Sequence, residues 1–276
     1  MRTRRALGTA LGAIALAGTA EAQSPGQEST FERVRRTGTL RIAALPGELP
    51  FFRKDLPTGV WSGAAIDMAK NIASALNTRL EYVESTYGNS VLDLQANKID
   101  LAFALNPTPQ RALAMGFTRA YYHHPFGYVA RRGFPARTWE DLNRPDVRVV
   151  SLIGSLSDVL LARYAPKAQI IGAKAGDDAI LLMQAGRADC IIYALIQALG
   201  VSAKAPALDQ VTLLERPLVA LPSAMGVQTE PDRRWRDFLD SWTDYNTGTR
   251  QVGTWMRQSL TSMGVKAENI PANADL

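Results

Sequence analysis

A single cysteine, Cys190, stands in the 276 residues, so no disulfide can form within the chain. It lies in the apolar run Cys190-Ile191-Ile192, which reads as a buried structural thiol. A chain of this size has core enough to manage without bridges. Histidine is nearly as scarce, with two residues, adjacent at His123 and His124. Neighbours on an extended segment point to opposite faces, so this pair does not share one ion. With no second cysteine, no metal site is expected. The Gly-x-Ser-x-Gly elbow of the serine hydrolases is missing. Lysine and arginine number 31 against 26 acidic residues, but they are scattered rather than blocked, so nucleic acid is not an expected partner. Nowhere does an apolar run reach the roughly 20 residues that a membrane-crossing helix needs.

The first residues carry a charge–apolar–small pattern. Arg2, Arg4 and Arg5 precede an apolar run from Ala6 to Ala17, and small residues lead to Ala20-Glu21-Ala22. This is the layout of a cleavable export signal, residues 1–22, with cut expected after Ala22. Thr3-Arg4-Arg5-Ala6-Leu7 weakly resembles a twin-arginine signal, and the ordinary secretory route fits as well. No cysteine at the cut supports a lipid anchor. Residues 23–37 are polar and read as a linker.

From Leu40 onward short apolar runs alternate with amphipathic segments. Leu40–Leu45, Leu80–Val83, Ile99–Leu105, Phe126–Ala130, Val147–Leu152 and Cys190–Tyr193 read as strands. Ile66, Ala69, Ala73 and Leu76 recur at helical spacing with Asn77 as the stop. Ser90–Ala96, Ser155–Tyr164 and Asp178–Ala185 read as helices, and Asp232–Asn246 and Thr249–Met263 as two more at the end. Thr108-Pro109 is a helix start, a hydroxyl N-cap followed by proline. Thr138 and Asp141 have capping-box spacing. Strand and helix alternate throughout, which argues an α/β fold with largely parallel sheets. Trp235, Phe238, Leu239 and Trp242 fall on one helical face and read as core.

One device occurs twice. Leu94-Gln95-Ala96-Asn97-Lys98-Ile99-Asp100 leads into the apolar Leu101-Ala102-Phe103-Ala104. Met183-Gln184-Ala185-Gly186-Arg187-Ala188-Asp189 leads into Cys190-Ile191-Ile192-Tyr193. Each is a helix end, a residue suited to a left-handed cap, a basic residue and, after one more position, an aspartate before a strand. A common helix-to-strand joint would account for either copy. Two copies favour two similarly built lobes.

At these residues the chain resembles the family 3 extracellular solute-binding proteins, which serve polar amino acid importers. The resemblance runs from Leu40 to about Leu260. Its motifs are Leu49-Pro50-Phe51, Trp61-Ser62-Gly63 with Ile66-Asp67-Met68-Ala69, the two repeats, Thr108-Pro109-Gln110-Arg111, Phe117-Thr118 with Tyr121-Tyr122, Glu140-Asp141-Leu142 and Gly154-Ser155. Each is weak alone; their order is specific. The resemblance implies a two-lobed periplasmic binding protein of type II, each lobe a mostly parallel sheet flanked by helices. Two hinge crossovers would lie near Pro125–Arg131 and Leu221–Gln228. Lobe 1 would be discontinuous, residues 38–125 plus 226–276, and lobe 2 would be residues 130–220. The implied function is capture of a small carboxylate-bearing ligand in the periplasm by hinge closure, for the membrane permease of an ABC importer. The protein would act as a monomer, without cofactor or catalysis. Two alternatives share the fold: a cyclohexadienyl dehydratase-like enzyme, and a binding protein that reports to a membrane sensor.

The resemblance also places the ligand site. Arg111 falls where the family binds a carboxylate, and its guanidinium offers a rigid fork of donors for that task. In the first turn of a helix a cation opposes the helix dipole, which strengthens a functional reading. Asn106 follows a buried strand whose end faces the crevice and occupies a ligand-contacting position. Thr108 reads first as a cap and second as a contact. Gly154 and Ser155 open a helix whose free N–H groups suit an anion, although Leu156 replaces a frequent hydroxyl. Tyr87 matches a pocket aromatic. Two departures stand out. The carboxylate that normally holds a ligand ammonium is replaced by Ala194, and an expected aromatic is Glu48. Either Glu48 pairs with the ligand amine, or the ligand has no α-ammonium and Glu48 is a solvated loop charge.

Overall fold

The doubled joint is the organising feature of the three-dimensional structure. The computed structural model describes residues 28–266 together with 268 and 270; the expected export signal and its cut lie outside these residues. In chain order the first elements are α1 (Thr30–Thr37), β1 (Thr39–Ala44), β2 (Arg53–Lys54), β3 (Trp61–Ser62), α2 (Ala64–Leu76), β4 (Arg79–Glu84), α3 (Tyr87–Gln95), β5 (Ala102–Leu105), α4 (Pro109–Ala114) and β6 (Gly116–Ala130). Then come α5 (Trp139–Leu142), β7 (Arg148–Leu152), α6 (Leu156–Tyr164), β8 (Gln169–Ala173), α7 (Gly176–Gln184), β9 (Cys190–Ala194) and α8 (Leu195–Lys204). The chain continues with β10 (Gln210–Leu213), β11 (Ala220–Val227), α9 (Arg234–Gly248) and α10 (Gln251–Ser262).

Each half holds a parallel β-strand pair joined by the same clamp. β1 runs parallel to β4, and Ile42 bridges to Leu101 at the entry of β5. In the second half β8, β7 and β9 are parallel neighbours. Asp100 accepts the Arg41 N–H at 2.8 Å and its Nη2 at 2.7 Å, while Arg41 Nη1 reaches the Asn97 carbonyl at 2.7 Å. Asp189 accepts the Arg148 N–H at 2.8 Å and its Nη2 at 2.7 Å, while Arg148 Nη1 reaches the Gly186 carbonyl at 2.8 Å. Asn97 and Gly186 both take the left-handed conformation, at φ 54° and 68°. Thus each repeated aspartate ties its own strand to an arginine at the start of the first strand of the same unit.

The expectation of mostly parallel sheets holds within these units and is refined between them. β6 is a single strand of 15 residues. Its first part pairs antiparallel with β11, and its last part antiparallel with β9 and β10. β11 also pairs antiparallel with β5. The resulting sheet is mixed because one strand must leave the first unit and another must return to it. The changeover falls at Pro125, opposite Ala220, and Phe126, opposite Ala194.

The expected linker is a correction in part. Thr30–Thr37 is a helix, capped by the Ser29 hydroxyl. Its Val34 is buried in the core, and its Arg33 pairs with the buried Asp100 carboxylate. A helix of about two turns is marginal alone; packing and this ion pair hold it. Cys190 is fully buried, and burial pushes its thiol up. Trp235, Leu239 and Trp242 are core, with Phe238 stacked on Trp235. No helix among the described residues is long and apolar enough to cross a membrane.

Candidate functional site

The strand ends of the two units face each other across a small cavity of about 20 Å³, room for about one water. Its walls come from both units: Tyr87, Asn106 and Arg111 on one side, and Ser155, Leu156, Tyr193 and Gln197 on the other, with His124 and Phe126 of β6 between them. A larger hollow of about 410 Å³ lies near Tyr121, His123 and Arg250. It is open and has no converging groups from the two units, so size alone does not mark the site.

Arg111 is the third residue of α4, a helix begun as the sequence implied. The Thr108 hydroxyl accepts the Arg111 N–H at 3.2 Å, so Thr108 is spent on the cap and is not on the cavity wall. The Arg111 guanidinium donates to the Asn106 carbonyl at 3.0 Å and to the Gly154 carbonyl at 2.7 Å. It therefore bridges the two units. No described carboxylate forms an ion pair with it. Burial lowers its pKa, yet an arginine stays charged.

Asn106 ends β5 one residue on and is buried. Its amide donates to the Pro222 carbonyl of β11 at 2.7 Å and lies 3.4 Å from His124 Nε2. Just before it, Ala104 holds φ 59°, an unfavourable conformation for alanine that concentrates at functional sites. Its N–H is held by the Tyr121 hydroxyl at 2.8 Å. Ser155 caps α6, accepting the Ser157 N–H at 3.2 Å. Gly154 takes φ 76°, and a Cβ there would meet Gly88 Cα at 2.9 Å.

Glu48 departs from one of its two expected roles. It is 3% exposed, so it is not a solvated loop charge, and it is absent from the cavity wall. Its carboxylate accepts the Tyr87 hydroxyl at 3.0 Å and the Gln197 amide at 3.1 Å, and the Gly176 N–H also bonds to it. Gln197 bonds the Tyr87 hydroxyl too, at 3.0 Å. Glu48 and Tyr87 belong to the first unit, Gly176 and Gln197 to the second. Burial, with Asp177 nearby, pushes the Glu48 pKa up to about 7, against the lowering by these hydrogen bonds.

Several wall residues were not expected to meet a ligand, among them His124, Tyr193 and Gln197. His124 is buried between the Tyr122 and Phe126 rings, at 5.5 and 5.2 Å. Burial, and His123 beside it, push its pKa down to about 3, so it is neutral. The opposite facing of the histidine pair, argued against a shared ion, is what sends His124 inward while His123 is exposed.

Comparison with known proteins follows the same line. A probable amino-acid ABC transporter periplasmic-binding protein of Sinorhizobium fredii is 25% identical over 196 residues, 69% of this chain and 65% of that protein. The match spans just under two thirds of that relative. The cyclohexadienyl dehydratase of Pseudomonas aeruginosa is 26% identical over 200 residues, 70% of this chain and 72% of the enzyme. The solved structure of the solute receptor for L-cysteine of Neisseria gonorrhoeae has a TM-score of 0.78 at 19% identity, covering 89% of this chain and 98% of that one; this shows the shared two-lobed fold. The bacterial extracellular solute-binding proteins, family 3, match residues 40–263, and the chain belongs to that family.

Proposed function

We propose that this protein captures a small carboxylate-bearing solute between two lobes and delivers it to the permease of an ABC importer. The lobes are residues 38–125 plus 226–276, and 130–220, and export follows the signal at residues 1–22. Arg111 carries the reading. Among the described residues this half-buried guanidinium at the seam donates only to carbonyl oxygens, at 3.0 and 2.7 Å. Those bonds leave its full charge without a counter-ion, and a desolvated cation favours an anion strongly. Opening the seam frees the Gly154-facing donor for a carboxylate oxygen, and closure returns Gly154 and Ser155 to the bound group.

The same fold also carries the dehydratase named above. Acid–base work needs a group within reach of the ligand. Among the described wall residues there is no Asp or Glu, burial makes His124 a weak base with its pKa pushed down to about 3, and Glu48 is not on the wall. These features support binding without turnover.

The test is thermal shift of the mature protein against amino acids, amines, and mono- and dicarboxylates. A binding acid raises Tm by mass action, and Arg111→Ala abolishes the rise. Full affinity in that variant sinks the site assignment. Consumption of prephenate or arogenate, rather than binding alone, sinks the non-catalytic reading.

A further inference from the structure

The wall of the cavity is chemically one-sided. It offers one cation, Arg111, and otherwise neutral groups. The buried Glu48 carboxylate has the Tyr87 hydroxyl, the Gln197 amide and the Gly176 N–H for partners. All three come from the protein, and Glu48 is not among the wall residues. Ala194, at the end of β9, is fully buried and presents only a methyl group. A zwitterion seated on Arg111 would bring a second positive charge into a closed space without a facing anion, and an unpaired buried charge is costly.

Two atoms point the other way. Tyr193 Oη and His124 Nδ1 are buried and have no hydrogen-bond partner among the described residues. Their residues are 2% and 4% exposed, and both line this cavity. Buried polar atoms are nearly always satisfied, and an orphan calls for an explanation. A hydroxyl both donates and accepts, and one nitrogen of a neutral imidazole accepts while the other donates. Together they suit an uncharged polar substituent, a hydroxyl or a carbonyl.

We infer that the cavity selects carboxylic acids that bear a hydroxyl or oxo group where an amino acid bears its ammonium, with Tyr193 and His124 as the groups that read this substituent. The inference rests on the carboxylate reading of Arg111 and deepens it.

Matched acids of one skeleton test it. Calorimetric affinities would be measured for L-leucine, 2-hydroxy-4-methylpentanoate, 4-methyl-2-oxopentanoate and unsubstituted 4-methylpentanoate. The same comparison would be run on L-phenylalanine, phenyllactate, phenylpyruvate and 3-phenylpropionate, and on L-glutamate, 2-hydroxyglutarate, 2-oxoglutarate and glutarate. In at least one series the hydroxy or oxo acid should bind about tenfold or more tightly than the amino acid, a difference of about 1.4 kcal/mol. Tyr193→Phe keeps the ring and removes the hydroxyl. It should weaken the hydroxy or oxo acid about tenfold and leave the unsubstituted acid nearly unchanged. An amino acid that binds as well as its hydroxy and oxo partners overturns the inference, and so does a set in which no hydroxy or oxo acid binds. Equal losses for substituted and unsubstituted acids in Tyr193→Phe remove Tyr193 from the role. In the first of these cases, loss of amino acid binding in Arg111→Ala would leave the carboxylate reading standing.

Discussion

Glu48 and His124 are buried titratable groups displaced in opposite senses, and their effects on stability can be separated by pH. Glu48 moves from 4.5 to about 7 on folding, so the folded protein holds a proton that the unfolded chain releases. That stability is complete below pH 4.5 and is lost as pH rises through about 7, on the order of 3 kcal/mol over the window. His124 moves from 6.5 to about 3. Its contribution is complete above pH 6.5 and is lost as pH falls toward 3. The unfolding free energy of the parent minus that of Glu48→Gln should therefore fall between pH 4.5 and 7. Parent minus His124→Gln should rise between pH 3 and 6.5. Urea melts across pH read both, and a flat difference curve refutes the burial assigned to that residue. The site was partly legible at this scale. Arg111 and Asn106, which the family resemblance implied, stand on the cavity wall, and a helix start and a strand end locate them along the chain. Glu48 could not be placed, because its setting depends on Gly176 and Gln197, far off in sequence.

At the scale of elements, the repeated aspartate clamp predicts unequal costs for equal changes. The Asp100 side chain is fully buried and serves both Arg33 and Arg41. The Asp189 side chain is 26% exposed and serves Arg148. Asp100→Ala strands two partners in the interior and should cost about 3–5 kcal/mol. Asp189→Ala should cost about 1 kcal/mol, the scale of an exposed pair. Equal losses in denaturant melts would contradict this. Many elements were visible in the residues. Asn77 ends α2 in the left-handed conformation, and Thr138 with Asp141 forms the full capping box. Others carried no period to read. α8 is buried at every position from Leu195 to Val201, so it has no polar face. β8 and β10 are mostly exposed or half-buried, and the first ten residues of β6 mix prolyl, histidyl and aromatic side chains without alternation.

Across the whole molecule, the two units meet backbone to backbone at glycines. Gly154 faces Gly88, and Gly176 faces Gly47, where an added Cβ would lie 2.4 Å from the Gly47 carbonyl. Gly154→Ala should hold the lobes apart and weaken ligand binding about tenfold or more, with a larger ligand-bound radius by small-angle scattering. Gly186→Ala shares the positive φ but has open space around it. It should lose stability without losing closure, and matching affinity losses in the two variants would argue against a seam effect. The two-lobed plan was readable because the clamp recurs, whereas the seam was not, since glycines that meet across it stand apart in the chain. β6 runs unbroken from one unit to the other, and it changes partners at Pro125. Proline has no N–H to contribute to a ladder. A rotation centred there asks the strand to surrender no amide donor at the pivot, so repeated opening and shutting need not expose β6 to solvent. Amide exchange on both sides of Pro125 should stay as slow in the open protein as in the shut one, making the crossing strand an axle rather than a latch.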